Sequence, residues 1–251
     1  MSYAKMAQVY DSLMEDAPYD EWTEFAIHMF TKYGNGDVRN VIDLGCGTGQ
    51  ITTRLAQEGY DMSGVDLSAD MLTYAQHHAL EQQVSIKWFQ QDLRQLQGFH
   101  GFDAVISFCD VINYITNEED VKQVFKHVNS MLEMNGLFLF DVHSMAHVEN
   151  DLKDQTFAEV YDDLSYIWLC QPGEHEGEVH HDLTFFVLDE SQYDRFDENH
   201  QQRTYPVHVY NQWLIDNGFE AKGVFADFSV DQVQSDGERL FFVYEKIRES
   251  E

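Results

Sequence analysis

Apolar residues recur at helical spacing from Trp22 through Phe25, Ala26, Met29 and Phe30 to Tyr33, and Gly34-Asn35-Gly36 stops that helix. A short apolar run, Val41 to Leu44, then opens into a glycine-rich turn, the pattern of a strand feeding a helix over residues 50–58. Asp61 to Asp66 predicts a second strand ending on an acid. Ser68 predicts an N-cap for a helix whose apolar side is Met71, Leu72 and Ala75. Val84 to Phe89 and Phe102 to Phe108 predict a third and a fourth strand. Asn117 caps an amphipathic helix with Val121, Val124, Phe125, Val128 and Leu132 on one face. Glu118, Glu119 and Asp120 in its first turn suit the helix dipole, and Asn135-Gly136 predicts its end. Leu137 to Val142, wholly apolar apart from Asp141, predicts a fifth strand. Strands alternating with helices indicate an α/β fold, a doubly wound and mostly parallel sheet with helices on both faces.

The rhythm breaks after residue 148. Tyr166 to Leu169, Leu183 to Leu188 and Tyr193 to Glu198 follow a period of two, which predicts an antiparallel β insertion over the carboxyl edge of the parallel sheet. Residues 149–200 hold 15 acidic residues against Lys153 and Arg195, a net charge of −13. Glu198 and His200 share one face of the last insertion strand and Arg203 takes the other, as on a solvated edge strand. After Pro206 the α/β rhythm returns: a helix with Val209, Trp213 and Leu214, a stop at Gly218, and strands near Phe219 to Phe228 and at Leu240 to Tyr244. The expected division is 1–148, 149–204 and 205–251.

Charge and composition narrow the partners. The 251 residues carry a formal charge of −30, yet 43% are hydrophobic, so the acidity coats a folded body. Such a chain lacks the basic footprint that holds phosphate backbones, which disfavours nucleic acid, and anionic membrane surfaces repel it in the same way. No stretch approaches the roughly 20 apolar residues that span a bilayer. The N-terminal stretch has no apolar core of a secretory signal. Cys46, Cys109 and Cys170 lie far apart without CxxC spacing, which fits a reducing cytoplasm and gives neither a disulfide framework nor a metal site.

The chemistry concentrates in Asp43-Leu44-Gly45-Cys46-Gly47-Thr48-Gly49. Glycines at alternate positions between a strand and a helix let the backbone approach a ligand, and the helix start offers free N–H groups. The dinucleotide fingerprint wants glycine or alanine where Gln50 stands. Asp43 suits an ammonium or sulfonium group better than a pyrophosphate. Asp66, at the end of the second strand, can accept both hydroxyls of a ribose. Asp92, just past the third strand, can accept from an adenine amino group while the Leu93 N–H faces a ring nitrogen. Leu67 and Met71 are placed to pack on the adenine faces. Each acid alone reads equally well as a helix cap or a solvated turn; three at successive strand ends beside the glycine turn point to a nucleoside site.

VIDLGCGTG, VDLSADML and QQDL, in this order and spacing, resemble the class I S-adenosylmethionine-dependent methyltransferases over roughly residues 38–145 and again in the C-terminal segment. The resemblance implies a Rossmann-like, seven-stranded sheet with a final antiparallel strand, and S-adenosyl-L-methionine as cofactor, leaving as S-adenosyl-L-homocysteine. It also implies that Asp43 with Gly45, Gly47 and Gly49 holds the methionine end, Asp66 the ribose and Asp92 the adenine. The VYD of Val9 to Asp11, the strand-rich insertion and HQQRTY are similar, more narrowly, to a YqeM-like bacterial group and to amino-sugar N-methyltransferases. The segment 1–148 would then carry an N-terminal helical lid and the cofactor-binding core.

In-line methyl transfer needs mainly alignment, and a base only where the acceptor must lose a proton. No metal is expected, because the histidines lack ligand spacing. Tyr10 matches the family's N-terminal lid and Tyr114, in CDVINY, a place where related amino-sugar enzymes present a polar ring; both read otherwise as packing residues. His143 follows the fifth strand, where a substrate can sit. The expectation is methyl transfer to the amine or hydroxyl of a small molecule. An RNA or protein methyltransferase, a non-catalytic adenosyl-ligand-binding protein and an NAD-dependent oxidoreductase stay open as alternatives.

Overall fold

The computed structural model describes residues 17–34, 38–189, 192–230 and 236–250. Helices α1 (Tyr19–Tyr33), α2 (Gln50–Gln57), α3 (Ala69–Glu81), α4 (Glu118–Met131) and α5 (Val207–Asp216) surround a main sheet of seven strands. These are β1 (Asn40–Leu44), β2 (Asp61–Asp66), β3 (Lys87–Gln90), β4 (Phe102–Ser107), β5 (Leu132–His143), β10 (Phe219–Ala226) and β11 (Arg239–Lys246). A second sheet holds β6 (Thr156–Val160), β7 (Leu164–Pro172), β8 (Glu178–Asp189) and β9 (Gln192–Arg203).

Alternation within the apolar runs gives the main sheet its two packed sides. Val41, Ile106, Leu139 and Phe241 face α1 and α2, where Phe25, Met29 and Leu55 are fully or almost fully buried. Ile42, Val105, Phe138 and Phe140 face α4 and α5, against Phe125 and Tyr210. Phe140 stacks on Phe242 at 4.8 Å and 9° between planes, which ties β5 to its antiparallel neighbour β11. The order is β10-β11-β5-β4-β1-β2-β3, with β11 alone antiparallel to its neighbours. The chain direction of the crossovers reverses between β1 and β4, so a crevice opens at the carboxyl ends of those strands.

Two places around the main sheet depart from the sequence reading by three residues or more. α4 stops at Met131, not at Asn135-Gly136, and β5 starts at once with Leu132 beside Phe102. Asn135 (φ 66°) and Gly136 instead form a kink inside the strand, where the ladder with β4 shifts register. The Asn-Gly signal was real, but it marks an irregularity in a strand rather than a helix end. The third strand begins at Lys87 rather than Val84, because Gln83 turns left-handed (φ 59°) and the Val84 N–H bonds back to Ala79 on α3.

The second sheet is antiparallel throughout and lies over the crevice. Cys170 and Val179 on its inner side pack against Val148 and Leu152 of the short helical segment after β5. Its last strand corrects the solvated-edge expectation: β9 is an edge strand, but Glu198 and Gln202 are buried and His200 lines a cleft. Glu198 lies opposite Leu183, and its Oε1 has no hydrogen-bond partner although it is buried. An unpaired buried oxygen is costly, so Glu198→Met is expected to raise stability by about 1 kcal/mol, read as a higher midpoint in thermal unfolding. A lower midpoint would mean that the carboxylate is held by an attraction this geometry lacks.

Candidate functional site

Gly45, Gly47 and Gly49 have φ of 79°, 54° and 77°, the left-handed region in which side chains are strained. A Cβ on Gly45 would meet Val111 at 2.4 Å, so the turn must pass close under the segment after β4. At Gly47 nothing lies within 4 Å of a Cβ, because that residue borders open space. The space is a cleft of about 420 Å³ whose wall includes Gly45, Gly47, Asp66, Leu67, Met71 and Asp92. Leu93 lines it too, so the sequence-predicted adenosine residues come together around one opening.

Each acid sits differently. Asp43 is buried beneath the turn, and the Thr52 hydroxyl donates to its Oδ2 at 2.6 Å. Burial, opposed by that hydrogen bond and assisted by the nearby Asp66, pushes its pKa up to about 7. It lines a smaller recess beside the cleft with Gly45, Gly47 and Cys109. Asp66 accepts from the Gly47 N–H at 2.9 Å and the Ser68 N–H at 2.8 Å; burial raises its pKa, and these bonds restrain the rise. Asp92 is held by Arg94. The guanidinium donates to both of its oxygens and the Arg94 N–H to Oδ1, which keeps the carboxyl below its ordinary range. Three N–H groups of Arg94 thus hold the carboxylate, which leaves about one of its roughly four acceptor positions for a ligand. Tyr10 lies outside the described residues.

A second cleft, of about 340 Å³, opens between the carboxyl edge of the main sheet and the inner face of the second sheet. Cys109, Tyr114 and His200 line both clefts and form their common wall. Tyr114 is half exposed, with its ring edge-on to His200 at 5.8 Å. His143 lies in the second cleft, its Nε2 3.6 Å from Asp110 Oδ1. Burial is the main cause that lowers its pKa to about 4, against the pull of Asp110, so the imidazole is neutral at pH 7.

Behind His143 stands a cluster that sequence reasoning missed. Arg239 donates from one guanidinium nitrogen to Asp141 and from the other to Asp110, each at 2.8 Å. Asp141 also accepts from Trp22 Nε1 and from the Asp110 N–H, both at 2.9 Å. Burial works to raise the Asp110 pKa, but the attraction of His143 and Arg239 and the bonds from Arg239 and Gln202 hold it below the ordinary range. With His143 neutral, Arg239 supplies the charge that keeps Asp110 ionised. Burial raises Asp141 despite Arg239. From the second sheet, Gln202 Nε2 donates to Asp110 Oδ2 at 2.7 Å, Gln202 Oε1 pairs with His181 Nε2 at 3.0 Å, and Trp168 Nε1 donates to His181 Nδ1 at 2.9 Å. The signals were present but local: an acid inside the apolar run of β5, an acid just after β4, and an arginine opening β11.

A profile described as a methyltransferase domain matches residues 41–136. The chain is 43% identical over 247 residues to the Bacillus subtilis (strain 168) protein called Putative methyltransferase YqeM, covering 98% of each. A Geobacillus sp. (strain WCH70) protein with the same description is 43% identical, covering 98% of this chain and 100% of that one. Among solved structures, an S-adenosylmethionine-dependent methyltransferase from Clostridium acetobutylicum ATCC 824 overlays with a TM-score of 0.87 at 29% identity, covering 98% of this chain and 99% of that one. CalS10 of Micromonospora echinaspora, described as an amino pentose methyltransferase with S-adenosylmethionine bound, shares the fold with a TM-score of 0.77 at 16% identity, over 95% and 96% of the two chains. Similarity over nearly the full length, on a sheet whose acidic strand ends and glycine turn surround one cleft, makes this chain a member of the S-adenosylmethionine-dependent methyltransferases, with S-adenosylmethionine as its cofactor.

Proposed function

We propose that the protein methylates the amine or hydroxyl of a small molecule bound beneath the second sheet. The observation that carries this reading is the common wall of Cys109, Tyr114 and His200, which sets the second cleft directly against the first. Asp43 and the glycine turn would hold the methionine end, Asp66 the ribose, and Asp92 with the Leu93 N–H the adenine, with Leu67 and Met71 against the ring. The open space at Gly47 suits a ligand passing close to backbone. The cofactor supplies a methyl group already activated on a sulfonium, whose bonding pair stays with sulfur on transfer.

The remaining work falls to the chain's own residues. Tyr114 at the junction orients the acceptor. His143, neutral at pH 7, takes the proton that the acceptor loses, and Asp110 at 3.6 Å steadies the imidazolium so formed. Residues 149–204 act as the roof that excludes water, between the cofactor-binding core of 1–148 and its C-terminal part, 205–251. The folds of CalS10 and of KedS8, described as a sugar N-methyltransferase, agree with a small acceptor.

His143→Gln is expected to keep the thermal shift given by S-adenosylmethionine while transfer to a hydroxyl acceptor slows about 10²-fold or more. The direct test incubates the protein with labelled S-adenosylmethionine and fractionated cell extract. Label in small molecules supports the proposal; label confined to RNA or protein refutes it.

A further inference from the structure

The second cleft has aromatic walls on both sides. Trp22 comes from α1, Tyr166 and Trp168 from β7, Phe185 from β8, and Tyr114 stands at the cofactor side. Rings from the core and from the roof thus border one space of about 340 Å³, near the lower end of small-ligand pockets.

Its positive charge is already committed. Arg239 is the sole arginine or lysine among the described residues that line the cleft. Its two terminal nitrogens bond Asp110 and Asp141, and it lies 5.3 Å from the Trp22 ring. Burial lowers the pKa of His143, His181 and His200, so none offers a cation at neutral pH. A phosphate or carboxylate entering here would leave water without gaining a counter-charge and would face Asp110, an uncompensated burial of like charge.

Taking the second cleft as the acceptor site, as proposed above, we infer that the acceptor carries no anionic group and is built on one or two flat apolar rings with a hydroxyl or amine, and that phosphorylated or carboxylated acceptors are refused. The rings lie against the partly exposed Tyr166 and Trp168, where stacking adds to the gain from burial. The single polar edge meets His143 and Asp110.

A matched pair of probes tests this on the full chain saturated with S-adenosyl-L-homocysteine. By isothermal titration at pH 7.5, 2-naphthol is expected to bind at least about tenfold more tightly than 2-naphthyl phosphate. Tyr166→Ala, at a partly exposed position, is expected to weaken 2-naphthol about fivefold, with Tyr166→Leu as a second, milder variant. 2-Naphthol should also slow labelled methyl transfer to the acceptors in cell extract. Equal or tighter binding of the phosphate ester, no binding of 2-naphthol, or binding unchanged in both variants overturns the inference. If the ester alone inhibits transfer, the refusal of anions is wrong and the acceptor cleft stands. If 2-naphthol binds yet leaves transfer untouched, the reading of the cleft as the acceptor site fails, and this inference with it.

Discussion

Asp43→Asn should make the ligand-free protein more stable at pH 8 while removing most of its response to S-adenosylmethionine. Burial holds the Asp43 carboxyl near 7, against an ordinary 3.8. Between those values the folded state keeps a proton that the unfolded chain has released, so this group makes stability fall as pH rises from about 4 to about 7. Above 7 the loss is complete, on the order of 4 kcal/mol, and flat. Asparagine keeps an oxygen to accept from Thr52 but carries no charge to desolvate. Its new N–H groups need a partner, so the net gain at pH 8 is on the order of 2 kcal/mol, or a midpoint about 4–8 °C higher in a chain of this size. Below pH 4 the gain should vanish.

The same substitution removes the negative charge proposed to face the ligand's ammonium and sulfonium groups. Affinity for S-adenosylmethionine should fall about tenfold or more, measured by calorimetry. In the wild type, affinity should rise with pH up to about 7, because a bound cation favours the ionised carboxylate. A variant that is no more stable at pH 8, or that binds the cofactor normally, would show that Asp43 is structural only.

Arg239→Met should be among the most damaging single changes. It leaves Asp110 and Asp141 buried side by side without their shared cation, and breaking a buried pair in this way costs about 3–5 kcal/mol. The loss should depend on pH. In the wild type Asp110 titrates below its ordinary range, so it contributes stability that is present above about 4 and is lost as pH falls. Without Arg239 burial raises both carboxyls, and stability falls as pH rises through their titration. The gap between variant and wild type should therefore be much larger at pH 8 than at pH 5. Asp141→Asn in the same chain should recover part of it. Equal damage at both pH values would mean that Arg239 acts by packing on Trp22 rather than by charge.

Much of the main sheet was legible because its strands announce themselves twice, by an apolar run and by the turn or cap that closes it. Val41 to Leu44 and Asp61 to Asp66 match β1 and β2 because a glycine turn ends the first and a capped helix start ends the second. Asn135-Gly136 misled because the dipeptide marks a left-handed residue, and such a residue serves a strand kink as well as a helix end. The first cleft was equally open to inspection, since its predicted residues sit within a few positions of strand ends. The second cleft was not. Trp22, Asp110, Gln202 and Arg239 come from four distant elements, and only the closure of β11 beside β5 and of the second sheet above them brings the four together. Glu198 and His200 read as solvated because polar residues on an edge strand normally are. The roof's seat on the main sheet reverses that.

The bonds from Trp168 to Asp110 have a fixed direction. An indole N–H can only donate and an ionised carboxylate can only accept, so the two groups between them have no freedom. His181 must carry its hydrogen on Nε2, and the Gln202 amide must turn its nitrogen toward Asp110. For proton traffic such a row is a dead end. A proton handed back along it would arrive at Trp168, which has no lone pair to receive it. The second sheet thus offers no proton exit along this row: under the proposed role of His143, a proton taken up there stays with the His143–Asp110 pair until water or a departing ligand carries it off.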